Sequence, residues 1–382
     1  MRIPSLVVLV AALLCGCAAA PPAAPPDGLL ADRLFTPPRE SVRTDDLFAL
    51  SDAMRRYLAV DIADQIRVKG PQVGLVEALQ KHTQLKLEYD AARTKNAAAT
   101  FAGRTGNCLS LVIMTAAFAK ELGVPVTYQA AYLDETWSRA GNLLIASGHV
   151  NVTLSRRLFD ARTPRDRNPT TIDFLPAEDL RGLRTRDVGE ATIVAMYANN
   201  RAAEALADGR LDEAYAWAAE SVRRDPAFAG AYNTLGVVYL RHGDFAEAER
   251  AFARVLADDA KDTRALANLA ETYSRQGRTS EAQATRQRLA ALETYAPYHF
   301  FELGMAAARR DDWRSARELF AREVARADNH EFHFWLGVAD WRLGDEAAAR
   351  RHLALAIDNS VTRGQHDLYA AKLAWLQAHR RQ

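Results

Sequence analysis

A self-similarity at a period of 34 residues, starting near Ala195 and running through the C-terminal half, limits most severely what this chain can fold into. It is clearest in Tyr232-x-x-Leu235-Gly236-x-x-Tyr239, followed by Gly243, Ala248 and Phe252. The same frame yields Leu269-Ala270-x-x-Tyr273 with Gly277 and Ala282, then Leu303-Gly304 with Trp313, Ala316 and Phe320. With one residue deleted it yields Leu336-Gly337 with Gly344, Ala349 and Leu353, and Arg201-Ala202, Gly209, Ala214 and Pro226 form a weaker first copy. Small residues such as Gly236 and Ala248 let two antiparallel helices approach, while Leu235, Tyr239 and Phe252 fill the space between one pair and the next. A single helix pair cannot bury its apolar face alone, so the copies are expected to stack into a superhelix.

The pattern resembles the tetratricopeptide repeat, with five copies over residues 191–364. Residues 365–382 read as a capping helix, with Leu368, Tyr369, Leu373 and Leu376 on one side. The resemblance implies a concave face that binds an extended peptide or a protein partner. Tyr298, His299, Phe300, Phe332, His333, Phe334 and Trp335 concentrate aromatic groups around the fourth and fifth copies. They suit either a ligand groove or repeat core.

A second organising stretch is Arg104-Thr105-Gly106-Asn107-Cys108-Leu109-Ser110 and the apolar run it opens. Over residues 109–122 the polar residues are Ser110, Thr115, Lys120 and Glu121 alone, so a helix here is apolar on nearly every face and belongs inside a domain. Asn107 suits the N-cap, Gly123 the left-handed position after the helix, and Pro125 prevents continuation. Cys108 then falls at the first helical position, where free amides and the helix dipole favour an anion, the nucleophilic form of a thiol. The bland alternative for such a cysteine is a small core residue.

Upstream, residues 41–99 carry a helical pattern in Leu47, Leu50, Met54, Tyr57 and Leu58, with Asp45 or Asp46 near its start. Gly70-Pro71 breaks it, and residues 73–82 resume as a second helix. Leu85-Lys86-Leu87-Glu88-Tyr89 fits a short strand or a helix end equally. After the cysteine helix the period changes to two. Residues 124–133 read as a strand; residues 148–154 read as another, with Val150, Val152 and Leu154 on one face and His149, Asn151 and Thr153 on the other. Residues 162–168 form a basic loop, and 170–175 a further strand that includes Asp173. Helices followed by strands around one buried helix indicate an α+β domain with an antiparallel sheet.

Gly106-Asn107-Cys108-Leu109-Ser110 opening a buried helix, then Gly148-His149-Val150, then Ile172-Asp173-Phe174, resembles the bacterial transglutaminase-like cysteine protease superfamily. The resemblance implies a papain-like triad of Cys108, His149 and Asp173, with acyl transfer through a thioester resolved by water or an amine. Asn151 departs from the aromatic found two residues after the histidine in many relatives, and the interval from His149 to Asp173 is long. Asp160, nearer in sequence, is the rival acid.

At the start of the chain, Arg2 and an apolar run over residues 6–14 form a signal segment too short to span a bilayer. Leu14-Cys15-Gly16-Cys17 resembles a bacterial lipobox, which implies lipidation of Cys17 and, in a Gram-negative host, an outer-membrane anchor facing the periplasm. A plain secretory signal is the alternative. Pro21-Pro22-Ala23-Ala24-Pro25-Pro26 then reads as a stiff tether. Of the 3 cysteines, Cys108 would be the free thiol left after processing. A net charge of +1 gives no electrostatic reason to expect nucleic acid. The remaining histidines show no metal-ligand spacing, and no cofactor is expected.

The chain is therefore expected to comprise a signal peptide (1–17), a tether (18–40), a transglutaminase-like α+β domain (41–190), five tetratricopeptide repeats (191–364) and a cap (365–382). Its expected function is an envelope lipoprotein with a thiol peptidase or acyltransferase and a protein-binding repeat domain. The alternative is a non-catalytic assembly scaffold acting through its repeats.

Overall fold

The computed structural model describes residues 28–38, 41–80, 85, 87–132, 137–140, 143–146, 149–156, 169–174, 184–292, 295 and 298–378. The lipobox with Cys17, the Pro-rich run, the basic loop 162–168, Gly148 and Asp160 lie outside the described residues.

The N-terminal unit begins with α1 (Asp52–Arg56), capped by the Ser51 side chain, which accepts from the Met54 amide. The polypeptide widens into one π turn (Tyr57–Asp61) and continues as α2 (Ala63–Lys69) and α3 (Pro71–Gln80). Residues 41–51 hold turns rather than the expected helix start, and Ser51, not Asp45 or Asp46, is the cap. The ambiguous stretch resolves as a strand, β1 (Glu88–Tyr89), parallel to β2 (Thr105–Gly106), with α4 (Ala97–Gly103) between them. Then comes α5 (Cys108–Glu121), in which every residue from Leu109 to Ala119 is buried. Tyr57, Phe101 and Phe118 close one side of it, ring centroids 5.5 to 5.8 Å apart.

Against α5 lies a four-stranded antiparallel sheet in the order β7-β6-β3-β8, from β3 (Val126–Tyr132), β6 (His149–Leu154), β7 (Thr170–Ile172) and β8 (Arg184–Val188). A separate hairpin pairs β4 (Trp137–Ala140) with β5 (Leu143–Ala146). One expectation needs correction. The strand expected over 170–175 ends at Ile172, so Asp173 sits just past its end. On the polar face of β6, His149 and Asn151 are 2% and 6% exposed.

The C-terminal half is an all-helical solenoid of five antiparallel pairs among the described residues: α6 (Glu190–Ala207) with α7 (Leu211–Arg224), α8 (Ala229–His242) with α9 (Phe245–Asp258), α10 (Thr263–Arg275) with α11 (Thr279–Leu292), α12 (His299–Arg309) with α13 (Trp313–Arg326), and α14 (His330–Arg342) with α15 (Glu346–Asp358). α16 (Arg363–Ala378) follows, burying Tyr369 and Leu376, although Leu368, expected on the same side, is 52% exposed. The small residues act as expected. A Cβ on Gly236 would meet the Phe252 ring at 2.5 Å, and one on Gly304 would meet the Phe320 ring at 2.5 Å. Tyr298, Phe300, Phe332 and His333 are buried, so that aromatic concentration is largely repeat core.

The two halves share one core. It runs without a break from Leu29 and Phe35 through Val112 and Phe118 of α5 to Tyr215, Tyr239 and Leu269 of the first three helix pairs. Part of the expected tether makes this joint: a 3-10 turn at Asp32–Leu34 seats Phe35 flat on Tyr215, ring centroids 4.0 Å apart at 3°. The Tyr239 hydroxyl donates to the Leu29 carbonyl at 2.8 Å and accepts from the Ala31 amide at 3.0 Å. Further along, a second core gathers Phe301, Phe320 and Phe332, and a third gathers Leu353 and Leu376.

Candidate functional site

The site is built around the entrance to α5. Asn107 is extended, its Oδ1 accepting from the Ser110 amide at 2.9 Å and from the Ser110 hydroxyl at 2.8 Å. Its Nδ2 donates to the Thr94 hydroxyl at 2.9 Å, so the cap is held on both sides. Ser110 in turn accepts from the Lys95 amide at 2.9 Å. Gly106 is required by this arrangement, since a Cβ there would come within 2.7 Å of Ser110 Cβ. Cys108 takes the first helical position, half-buried. At that position a helix leaves its amide hydrogen without a partner in the helix.

His149 enters from β6, the strand adjoining α5, and Asp173 from the turn just beyond β7. His149 Nε2 lies 2.8 Å from Asp173 Oδ1 and 2.9 Å from Oδ2, so Asp173, not a remoter group, engages that nitrogen. The Cys108 side chain lies beside the same imidazole and acts on it. Burial pulls the His149 pKa down, but the hydrogen bonds to Asp173 and Cys108, together with their charges, outweigh it and hold it at about 9. The ring is therefore an imidazolium at neutral pH. Thus the structure brings together all three residues singled out in sequence.

Two residues of the site were not anticipated. Asn151, treated above as a departure, donates from Nδ2 to Asp173 Oδ2 at 3.3 Å and so helps orient the acid. Its position two residues after His149 on one strand was the available signal. Tyr89, on β1, is registered opposite Gly106, two residues before Cys108, and burial and then the Cys108 charge raise its phenol pKa. Nothing in the local pattern distinguished it from its neighbours, because the pairing of β1 with β2 is what brings it there.

The repeats reach into this architecture. Glu204, near the end of α6, accepts from the Thr94 amide at 2.6 Å, and Arg93 pairs with Asp208 at 2.8 Å. From the far end of the solenoid, the Val361 carbonyl accepts from the Ala91 amide at 2.7 Å. Among the described residues no group of three or more His, Cys, Asp or Glu is arranged to hold a metal ion, and no helix is long and apolar enough to cross a membrane.

Comparison with known proteins identifies the tetratricopeptide repeat family over residues 205–267 and 239–294, and again over 301–360. No curated protein matches the chain. Among solved structures, the chain is similar to the MamA protein (18% identity, 45% of this chain and 93% of that one, TM-score 0.26). It is also similar to TTC0263, a thermophilic repeat protein of Thermus thermophilus (16%, 47% and 99%, TM-score 0.30), and to PilF of Pseudomonas aeruginosa (19%, 49% and 85%, TM-score 0.29). The C-terminal region thus carries tetratricopeptide repeats, a module that commonly binds protein or peptide partners and suits an interaction or scaffold role.

Proposed function

We propose that residues 41–190 form a transglutaminase-like domain in which Cys108, His149 and Asp173 perform thiol acyl transfer on amide bonds of peptides or proteins, while five repeats over 191–364, capped by 365–382, hold the substrate or a partner. One observation carries this reading. A thiol at a helix entrance, an imidazole and a carboxylate come together from three separated stretches, with the carboxylate on Nε2 of the imidazole. The thiolate attacks the carbonyl carbon, and the imidazolium gives its proton to the leaving amine. Asp173, on Nε2, fixes the orientation of the ring. Water or a second amine then releases the acyl group.

The same proposal puts the protein in the cell envelope, anchored by a lipid on Cys17 and facing the periplasm. What supports the anchor is the Leu14-Cys15-Gly16-Cys17 sequence. Cys17→Ala expressed in a Gram-negative host is expected to move the protein from the membrane fraction to the soluble periplasm, and continued membrane partition overturns the anchor.

The catalytic reading is tested by iodoacetamide labelling of Cys108, read by mass spectrometry across a pH series. Wild-type protein is expected to alkylate readily at pH 7, and His149→Ala at least about tenfold more slowly, since the imidazolium no longer holds the thiolate. Asp173→Asn should slow labelling less, and Asp160→Asn not at all. Labelling of Cys108 that is indifferent to His149→Ala sinks the catalytic reading and leaves a scaffold acting through its repeats.

A further inference from the structure

Three histidines tie the last repeat to itself and to its cap, through contacts that have room for one hydrogen each. His333, within α14, has its Nε2 2.5 Å from Asp328 Oδ1, to which it donates. Its Nδ1 faces Nδ1 of His352, on α15, at 3.1 Å, a distance bridged by one hydrogen from one ring to the bare nitrogen of the other. The far nitrogen of His352, Nε2, is 3.9 Å from Asp340 Oδ2, beyond hydrogen-bond reach. That oxygen is buried and has no hydrogen-bond partner among the described residues, while Arg317 from α13 holds Oδ1 at 3.1 Å. At the start of α14, His330 Nδ1 is 2.8 Å from the Tyr369 hydroxyl of α16. A bare Nδ1 accepts the phenol's hydrogen, whereas a protonated one makes the phenol turn it away inside the core. We propose that this end of the solenoid is an acid-sensitive latch: protons open the packing of α14, α15 and α16 and so release the Val361 carbonyl from the Ala91 amide, beside the strand that pairs with the cysteine loop. The latch does not depend on the chemistry at Cys108.

The packed state resists these protons. Burial pulls the His330 pKa down to about 4. Burial, then the charges of His333, Arg351 and Arg317, pull that of His352 down to about 4, against Asp345. Asp340 is a poor counter-ion, because burial, opposed by Arg317 and Arg351, raises its own pKa. From α16 the facing group is Tyr369, which burial and then the Glu331 charge keep protonated. An opened repeat binds protons on His330 and His352 at the ordinary value near 6.5 and a packed one at about 4, so the packing is intact above pH 6.5 and weakens as pH falls towards 4. The loosening reaches the other half through Asp328, which also accepts from Asn359 Nδ2 at 2.8 Å. Val361 follows two residues later, bonded to Ala91 at 2.7 Å. The neighbouring pair, Arg363 with Glu88 at 3.8 Å, is largely exposed and adds little.

The test is hydrogen exchange of the full chain, read by mass spectrometry at about pH 7.5 and pH 5 and corrected for the intrinsic pH dependence of exchange. In wild type the opening of α14, α15 and α16 is expected to rise about 30-fold for each of the two imidazoles, and peptides covering residues 88–92 should lose protection with them. Peptides of α9, which has no histidine, should change less than about threefold. His330→Gln and His352→Gln should each remove about 30-fold of the rise. Because a glutamine can disturb the packing by itself, a histidine NMR titration of wild-type protein gives a second reading: His330 and His352 should keep the shifts of neutral rings down to about pH 5. A wild-type rise below threefold, an equal rise in α9, an undiminished rise in both variants, or residues 88–92 that stay protected overturns the latch. Titration of both imidazoles near pH 6.5 overturns it as well.

Discussion

Gly236 and Gly304 occupy equivalent places in two copies of one repeat, each with a phenylalanine ring where a Cβ would stand, 2.5 Å away in both. Around Gly236 the apolar packing continues through Tyr239 and Tyr215 into Phe35 and on to the helix that opens with Cys108. Around Gly304 it closes upon Phe301, Phe320 and Phe332. Identical local rules therefore produce two different mechanical situations. In one, the repeat forms part of the wall of the cysteine unit. In the other, it packs into a separate core, and the solenoid meets the cysteine unit further on, where the Ala91 amide donates to the Val361 carbonyl. A repeat's sequence specifies its own helix pair, whereas its neighbours decide how far a disturbance travels.

The sharpest way to break the comparison is a matched pair of core deletions. Phe252→Ala and Phe320→Ala each remove a fully buried ring and should each cost about 3–5 kcal/mol locally. Hydrogen exchange read by mass spectrometry should show α5 losing protection in Phe252→Ala and keeping it in Phe320→Ala. Equal protection of α5 in the two variants would mean that the shared core does not couple the halves.

A second effect separates the halves by pH. His149 has its pKa raised to about 9 against an ordinary value near 6.5, so its stabilisation is complete below about pH 6.5 and is lost as pH rises through 9. The gap in unfolding free energy between wild type and His149→Ala should be about 3 kcal/mol at pH 6 and should narrow steadily towards pH 10. Urea melts at each pH measure it; a gap that widens with pH contradicts the imidazolium.

Smaller is the consequence of Thr94→Val, which removes the acceptor for Asn107 Nδ2 and keeps the Thr94 amide on Glu204. It should cost about 1–2 kcal/mol, because a buried amide loses its partner, and should loosen the cap of α5. At the bottom of the scale, Arg33→Ala removes a 3.9 Å contact to Glu247 from a side chain 78% exposed, and should change stability by less than about 0.5 kcal/mol. A larger loss there would show that residues 28–38 dock through charge rather than through Phe35.

The solenoid was legible in sequence because each of its contacts recurs at a fixed spacing: Gly236 finds Phe252 sixteen residues on, as Gly304 finds Phe320. The cap of α5 was equally legible, since Asn107 and Ser110 are three residues apart and answer each other within one turn. Cys108, His149 and Asp173 could be singled out one by one, by type and order. Their meeting depends on β6 lying against α5 and on β7 pairing with β6, which no local spacing encodes. The burial of Asn151 was concealed by the same fact: alternation along a strand separates its two faces without saying whether both are covered. Nor did anything local foretell that Phe35, in a stretch resembling a spacer, would stack on a ring 180 residues away.

That stacked phenylalanine fixes where a pull would be felt. Any tension applied to the chain ahead of Gly28 is taken first by the Phe35–Tyr215 stack, the Leu29 and Ala31 bonds to Tyr239 and the Asp32–Arg223 pair, all on the repeats. The strand carrying Tyr89 and the helix behind Cys108 stay off that load path. Ten residues lie between Cys17 and Gly28, a span of about 40 Å when drawn straight. A lipid on Cys17 would thus hold the solenoid within that radius of the bilayer, without straining the geometry at the sulfur.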